Sequence, residues 1–279
     1  MKHPRKNVPI ANFFIGANQP LAVMSGPCVI ESMELAMESA TFLTELFSSL
    51  GINFIYKSSY DKANRSAFDS FRGPGLTKGL SILEKIKTHF NVPVITDVHT
   101  VEEAQEAAKV CDILQIPAFL CRQTDLIIAA AQTGAVISVK KGQFMAPWDM
   151  KNVVDKILSQ GNDKIILTDR GTSFGYNNLV SDMRAIPIMQ SLNAPVCFDA
   201  SHSVQLPGGH GTSSSGQREF IPVLAKAAVA AGCNCIFMES HPRPHEAKSD
   251  KDSVMPFSDM RKLFTTLKNI YEIVQGTSS

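Results

Sequence analysis

Net charge is nearly absent from this chain: 27 Lys and Arg stand against 26 Asp and Glu, leaving +1. So balanced a composition projects no general basic field, and neither nucleic acid nor an anionic membrane surface is expected as a partner. Long apolar runs are missing as well. No stretch reaches the ~18 uninterrupted apolar residues of a membrane span. The basic start Met1-Lys2-His3-Pro4-Arg5-Lys6 is not followed by the apolar core and small-residue cleavage site of a signal peptide, so a cytoplasmic protein is expected. The six cysteines have no disulfide-framework spacing, and Cys233-Asn234-Cys235, without a second pair to complete a metal site, is expected to pack in the core. Neither a G-x-G-x-x-G fingerprint nor a phosphate-binding Walker loop appears, which argues against an open nucleotide-binding sheet. The single Trp148, beside Pro147, is expected to pack at a helix start.

What is present is a regular alternation. Short β-branched runs are predicted as strands near Leu21–Ser25, Asn53–Lys57, Pro93–Asp97, Asp112–Ile116, Val136–Lys140, Lys164–Asp169, Pro195–Asp199 and Cys235–Glu239. Between them, helical periodicity predicts helices near Met33–Leu50, Leu76–Phe90, Val101–Val110, Thr124–Thr133, Asp149–Gln160, Ser181–Leu192, Arg218–Ala231 and Ser258–Gln275, the first capped by Ser32. Repeated strand–helix units imply a parallel sheet, and eight of them in 279 residues match a closed (β/α)8 TIM barrel, a fold of roughly 250 residues, as one domain over 1–279. The first residues stand outside the repeat, and Ala11–Ile15 is expected to form a strand or hairpin capping the barrel bottom.

Such barrels build their sites at the C-terminal strand ends. Those ends are polar here: Cys28, Lys57 to Ser66, Asp97 and His99, Gln115 and Arg122, Lys140 and Gln143, Asp169 and Arg170, Asp199 and His202, Glu239 and His241. Lys57, Lys62, Arg65, Arg122, Lys140 and Arg170 gathered at one rim would repel one another unless an anionic ligand offsets them. Pairing with Asp61, Asp97, Asp125, Asp169 or Asp199 is the competing explanation. A second constellation, Cys28, His202, Glu239 and Asp250, offers thiol, imidazole and carboxylates suited to a divalent ion such as Zn²⁺ or Fe²⁺, with His99 and His241 as rival ligands and a buried structural thiol as the plainer reading of Cys28. The loops Ser203–Gly216 and Ser240–Pro256 carry or flank these positions as possible lids, with a flexible hinge at Gly208-Gly209-His210-Gly211.

The segments Lys57-Ser58-Ser59-Tyr60-Asp61-Lys62-Ala63-Asn64-Arg65-Ser66, Gln115 to Asp125, Val139 to Phe144, Asp169-Arg170-Gly171, Phe174 to Val180 and Ser201 to Gln205 resemble the 3-deoxy-D-manno-octulosonate 8-phosphate synthases, from about residue 20 to the C-terminus. The resemblance implies a barrel, usually a homotetramer, that condenses phosphoenolpyruvate with D-arabinose 5-phosphate for the lipopolysaccharide inner core. It further implies that Lys57, Ser59 and Lys62 hold the enol carboxylate and Lys140, Gln143 and Arg170 its phosphate. Asn64, Arg65 and Ser66 would line the sugar-phosphate site, and Arg122 would reach in from a neighbouring subunit. Lys57, Asn64, Asp97, His202 and Asp250 are the residues expected to take part in catalysis. Metal-independent members carry Asn where this chain has Cys28, so Cys28, His202, Glu239 and Asp250 imply the metal-dependent subclass, with Zn, Fe, Mn or a similar ion as cofactor. Arg243 and Lys248 near Asp250 depart from the pattern and leave that loop's shape open. A related heptulosonate synthase using erythrose 4-phosphate, and a silent sugar-phosphate-binding barrel, are the competing functions. The first typically shows an Arg-Thr pair where this chain has Ala63-Asn64-Arg65-Ser66.

Overall fold

The computed structural model describes residues 6–209 and 215–276. Eight parallel strands alternate with helices: β1 (Ala22–Gly26), α1 (Met33–Leu50), β2 (Asn53–Lys57), α2 (Leu76–Phe90), β3 (Val94–Asp97), α3 (Val101–Ala107), β4 (Ile113–Ile116), α4 (Thr124–Gln132), β5 (Val136–Lys140), α5 (Met150–Leu158), β6 (Ile165–Asp169), α6 (Ala185–Gln190), β7 (Val196–Asp199), α7 (Ile221–Ala230), β8 (Cys235–His241) and α8 (Phe257–Gly276). Each strand pairs with the next, and β8 returns to β1 with Cys235 opposite Ala22 and Glu239 opposite Gly26, closing the sheet into a (β/α)8 barrel. A side chain on Gly26 would run into the Lys57 carbonyl, so glycine is what lets these two strands meet at the mouth.

The period-two alternation of strands divides the side chains between two cores. One set, including Val23, Tyr56, Leu114 and Leu167, meets the helices in the larger hydrophobic layer. The other points inward, where Ala22, Met24, Ile55, Ile95, Ile113, Val136, Ile166, Cys197, Cys235 and Phe237 fill the barrel's lower half. An N-terminal hairpin, Val8–Ile10 against Phe13–Ile15, inserts buried Val8, Ile10 and Ile15 into this inner cluster. The bottom plug thus forms as expected, with its first strand earlier than the Ala11–Ile15 run suggested. Cys233 joins the outer core and Cys235 the inner one, and all six cysteines are free and buried, so the Cys-Asn-Cys run serves packing.

The helices carry the apolar stripe that the outer layer needs. In α1, Ala36, Ala40, Leu43, Leu46 and Phe47 are buried, Ser32 Oγ accepts from the Leu35 amide, and left-handed Gly51 (φ 63°) ends the helix. On α8, Phe257 stacks on Phe42 at 4.3 Å and Phe264 meets Phe47 edge-on at 4.8 Å. Several helices are shorter than periodicity implied. The α3 helix ends at Ala107 because the chain tightens, with Val110 N bonding Ala107 O, to deliver Cys111 to β4. The Asp182 carboxylate caps the Arg184 amide at 3.0 Å, and α6 starts only at Ala185. Before α7, Arg218–Phe220 forms a 3₁₀ turn, and Pro222, lacking an N–H, sits in the helix's first turn. Trp148 corrects its expectation: it lies in a 3₁₀ turn, Pro147–Asp149, and is 62% exposed. At the hinge predicted over Gly208–Gly211, Gly208 has φ 66°, whereas His210 and Gly211 lie outside the described residues.

Candidate active site at the barrel mouth

Going up each strand by two residues from the apolar inner layer reaches a polar one. Ile55 is followed by Lys57, Ile95 by Asp97, Ile113 by Gln115, Cys197 by Asp199 and Phe237 by Glu239, all buried. Above them opens a cavity of about 400 Å³ whose lining includes Lys57, Lys62, Asn64, Arg65, Ser66, Asp97, His99, Gln115, Lys140, Gln143, Arg170, His202, Gln205 and Asp250. Of the expected substrate contacts, Ser59 lies just beneath this lining, bonded to Lys57 and Asp97. Arg122 is exposed and lies outside it.

Three of the six rim cations, Lys57, Lys62 and Lys140, are ion-paired, as the competing explanation allowed, whereas Arg170 meets neutral oxygens. Lys57 Nζ lies 3.0 Å from Glu239 Oε1 and 3.3 Å from the Cys28 carbonyl, and Lys140 Nζ is paired with Asp199 while sitting 3.7 Å above the Phe237 ring. Lys62 Nζ is 3.7 Å from Glu239 and 3.9 Å from Asp97. Arg170 donates to Gln205 Oε1 at 2.8 Å and to the His202 carbonyl at 3.2 Å. Burial alone would raise the carboxyls of Asp97 and Glu239, yet the lysines around both, with His202 beside Glu239, hold them well below the usual range. For Lys140 burial prevails and lowers its pKa despite Asp199. The mouth therefore holds a preformed lattice of lysine–carboxylate pairs, with dipoles fixed before any ligand enters.

Three donors converge behind this lattice. The Cys28 Sγ, a Glu239 oxygen and an Asp250 oxygen lie within 4.8 Å of one another. Cys28 donates to Asp250 Oδ2 at 3.1 Å, and Glu239 Oε2 is buried with no hydrogen-bond partner. Burial and the neighbouring Glu239 push the Cys28 thiol well above its ordinary pKa, against the opposing pull of Lys62. His202 stands beside the group rather than in it: its Nε2 is 3.7 Å from Glu239 Oε1 and its Nδ1 is 2.8 Å from Asp199 Oδ2. The rival histidines are elsewhere. His99 Nδ1 faces Glu103 at 2.9 Å, and His241 receives the Arg243 amide on Nδ1 and turns Nε2 to Glu31 at 3.6 Å. Arg243 and Lys248 pin the Asp250 loop. Arg243 forks onto Glu38 at 2.9 and 3.0 Å, the Lys248 amide donates to Glu31 at 3.0 Å, and Asp250 itself takes a left-handed φ of 49°.

Several contributors escaped the sequence reading. Asp199, expected only as a pairing partner, joins Lys140 to both the amide and ring of His202. Gln205, noted only within a longer match, links Arg170 to Asp250. Lys141 turns away from the mouth, 3.4 Å from buried Asp169, and ties together the carbonyls of Gly142, Met145 and Gly171. An exposed strand-end motif hides these because alternation assigns a face, not a partner.

Comparison with known proteins agrees with this architecture. The family model described as the DAHP synthetase I family matches residues 5–276. Among similar proteins, the 2-dehydro-3-deoxyphosphooctonate aldolase of Protochlamydia amoebophila is 62% identical over 270 residues, covering 97% of this chain and 98% of its own. That of Francisella tularensis subsp. holarctica is 56% identical over 267 residues (96% and 97%), and that of Geobacter sp. strain M21 is 56% identical over 269 (96% and 98%). With likeness extending from the hairpin through the barrel to α8, the chain belongs to the DAHP synthetase I family.

Proposed function

We propose that this protein is an enzyme that condenses phosphoenolpyruvate with D-arabinose 5-phosphate and water, giving 3-deoxy-D-manno-octulosonate 8-phosphate and inorganic phosphate. The observation that carries the reading is the convergence of two cationic groups, Lys57 with Lys62 and Lys140 with Arg170, on one cavity that Asn64, Arg65 and Ser66 also line. The name shared by the relatives describes an eight-carbon 2-oxo acid bearing one phosphate. Its carbons are those of a three-carbon enol and a five-carbon sugar phosphate.

In this reading, Lys57, Ser59 and Lys62 take the enol carboxylate while Lys140, Gln143 and Arg170 take its phosphate. The Gln143 amide N–H groups would donate to the phosphate, which leaves its buried Oε1, without a hydrogen-bond partner, for a hydroxyl of the sugar phosphate. Two like charges 4 Å apart repel by about 4 kcal/mol at an effective dielectric of 20, so facing anionic substrates need such a lattice. Once they are aligned, orientation contributes up to ~7–11 kcal/mol. C3 of the enol attacks the aldehyde carbon, water adds at C2, and the C–O bond to phosphate breaks. Lys140 and Arg170 stabilise the charge that collects on the departing phosphate. Asp97, bonded by Ser59 and Gln115 and flanked by Lys57 and Lys62, fixes the direction of those donors. Asn64 presents its amide to the sugar phosphate.

The metal-dependent subclass is part of the same proposal. Cys28, Glu239 and Asp250 fit a divalent ion, since a thiol pushed up by burial needs a cation to ionise and Glu239 Oε2 has no other partner. Those three would hold Zn, Fe, Mn or a similar ion with His202 beside them. Such an ion supplies Lewis-acid polarisation or orients a water. The exposed aromatics Phe119, Phe144, Phe174 and Tyr176, on the loops after β4, β5 and β6, support a homotetramer in which Arg122 serves a neighbour's sugar-phosphate site. Free buried cysteines suit a cytoplasmic setting, and no described helix is long and apolar enough to cross a membrane.

The test is phosphate release from phosphoenolpyruvate with arabinose 5-phosphate or erythrose 4-phosphate supplied in turn. Release should require the five-carbon sugar. Faster turnover with the four-carbon sugar, or release without any sugar, would refute the assignment.

A further inference from the structure

The cavity has a supporting carboxylate that none of the roles above uses. Glu103, on the first turn of α3, receives two donors on one oxygen, Tyr60 Oη and the His99 amide, each at 2.8 Å, and the same oxygen faces His99 Nδ1 at 2.9 Å. Its backbone amide donates to Thr100 Oγ1 at 3.2 Å, half of a capping box. In a complete box the carboxylate would return to the Thr100 amide. Here it passes over that amide to the preceding residue and to a tyrosine 43 positions away in sequence. Tyr60 belongs to the Lys57–Ser66 loop, is 1% exposed and packs edge-on against His99 at 5.9 Å. It cannot retreat, because α2 passes so close that a side chain on Gly79 would strike the Tyr60 Cβ.

We propose that Glu103 is a positioning residue that locks His99 with Nδ1 protonated, so that Nε2 becomes a hydrogen-bond acceptor for a hydroxyl of the sugar phosphate, and that clamps the substrate loop through Tyr60. An ionised carboxylate can only accept, so the ring nitrogen facing it must carry the proton, and in the neutral ring the lone pair falls to Nε2. His99 lines the cavity together with Asn64, Arg65 and Ser66. A polyhydroxylated aldose phosphate offers donors for that lone pair; phosphoenolpyruvate, fully ionised, offers none. The inference rests on the proposed function for its substrate and on the geometry alone for its tautomer, so the two can fail separately.

Two measurements test it. In ¹⁵N-histidine spectra of the whole protein, His99, assigned by its loss in His99→Ala, should be the Nδ1–H tautomer, whether or not the enzyme turns over. An Nε2–H tautomer, or an imidazolium at the pH of turnover, overturns the proposal outright. In turnover, Glu103→Ala should lower kcat/KM by about 10- to 100-fold, by analogy with carboxylates that orient metal-ligating histidines. The loss should fall mainly on KM for the sugar phosphate, with KM for phosphoenolpyruvate little changed. Glu103→Gln, which can place a neutral oxygen at the same point, should restore most of it. Once His99→Ala is present, Glu103→Ala should cost little more, whereas additive losses would mean that Glu103 does not act through His99. If Glu103→Ala fails to fold, Tyr60→Phe decides the clamp: an unchanged KM for both substrates would remove Tyr60 from the device.

Discussion

Truncating Ile15 to Ala tests whether the N-terminal hairpin is a structural plug separate from the chemistry. Ile15 is 0% exposed and belongs to the inner cluster with Ile55, Ile95, Ile113, Val136 and Ile166. The substitution removes three carbons, each worth about 0.8 kcal/mol when buried, so about 2.4 kcal/mol is lost as transfer free energy. The rigid ring of strands cannot collapse onto the gap, and the cavity term should bring the total to about 3–4 kcal/mol. Urea unfolding should show a lower midpoint at unchanged slope. Because the polar mouth lies at the opposite end of the strands, KM for both substrates should stay at the parent value in the folded variant. A midpoint loss of less than about 1 kcal/mol would show that the hairpin contributes little to the core. An intact midpoint with damaged KM would refute the separation of plug from site.

Other perturbations probe the mouth and its supports. Lys141→Met strands the buried Asp169 carboxylate and should cost about 3–5 kcal/mol in unfolding experiments, whereas Lys141→Met with Asp169→Leu should recover much of it; equal losses in single and double variants would count against a paired role. Asp97, held below its usual pKa by the lysines around it, contributes stability that is fully present above the unfolded value of ~3.9 and fades as pH falls below it. The stability gap between parent and Asp97→Asn should therefore shrink below about pH 4, and a gap constant from pH 6 to pH 3 would contradict the assignment. Exhaustive chelation should remove the metal and the activity together, and Cys28→Ser should hold less metal by direct elemental measurement; full activity in metal-free protein would exclude the metal-dependent reading. Mixing Arg122→Ala with Lys140→Ala chains should restore part of the activity in hybrid oligomers, and none should return if Arg122 serves its own subunit.

Much of the barrel was legible because two periods, 2.0 for strands and 3.6 for helices, leave separate marks on composition. Asn53–Lys57, Val136–Lys140, Met33–Leu50 and Leu76–Phe90 have the boundaries that their patterns predict. Cys28, Lys57, Asp97, Lys140 and Glu239 were visible as polar residues at strand ends. Their mutual arrangement was not. Whether Lys140 meets a ligand or Asp199 depends on two strands that flank β6 and whose inward side chains meet across it, and Glu103 looks like an ordinary helix cap until Tyr60 arrives from another loop. Trp148 misled because an apolar side chain beside proline suggests packing, but a single chain gives this one no cover.

The two-residue step from isoleucine to charge has a consequence for how such a chain can change length. Adding or deleting one residue within β2, β3 or β7 would reverse the faces of everything beyond it, turning Lys57, Asp97 or Asp199 into the oily seam beneath the helices and an aliphatic side chain into the mouth. The same change in a loop after a strand would leave every inward position where it was. Lineages of this barrel should therefore accumulate insertions and deletions in the loops while holding strand lengths fixed from the bottom layer to the charged one. The constraint falls on spacing, independent of which aliphatic residue occupies the lower step.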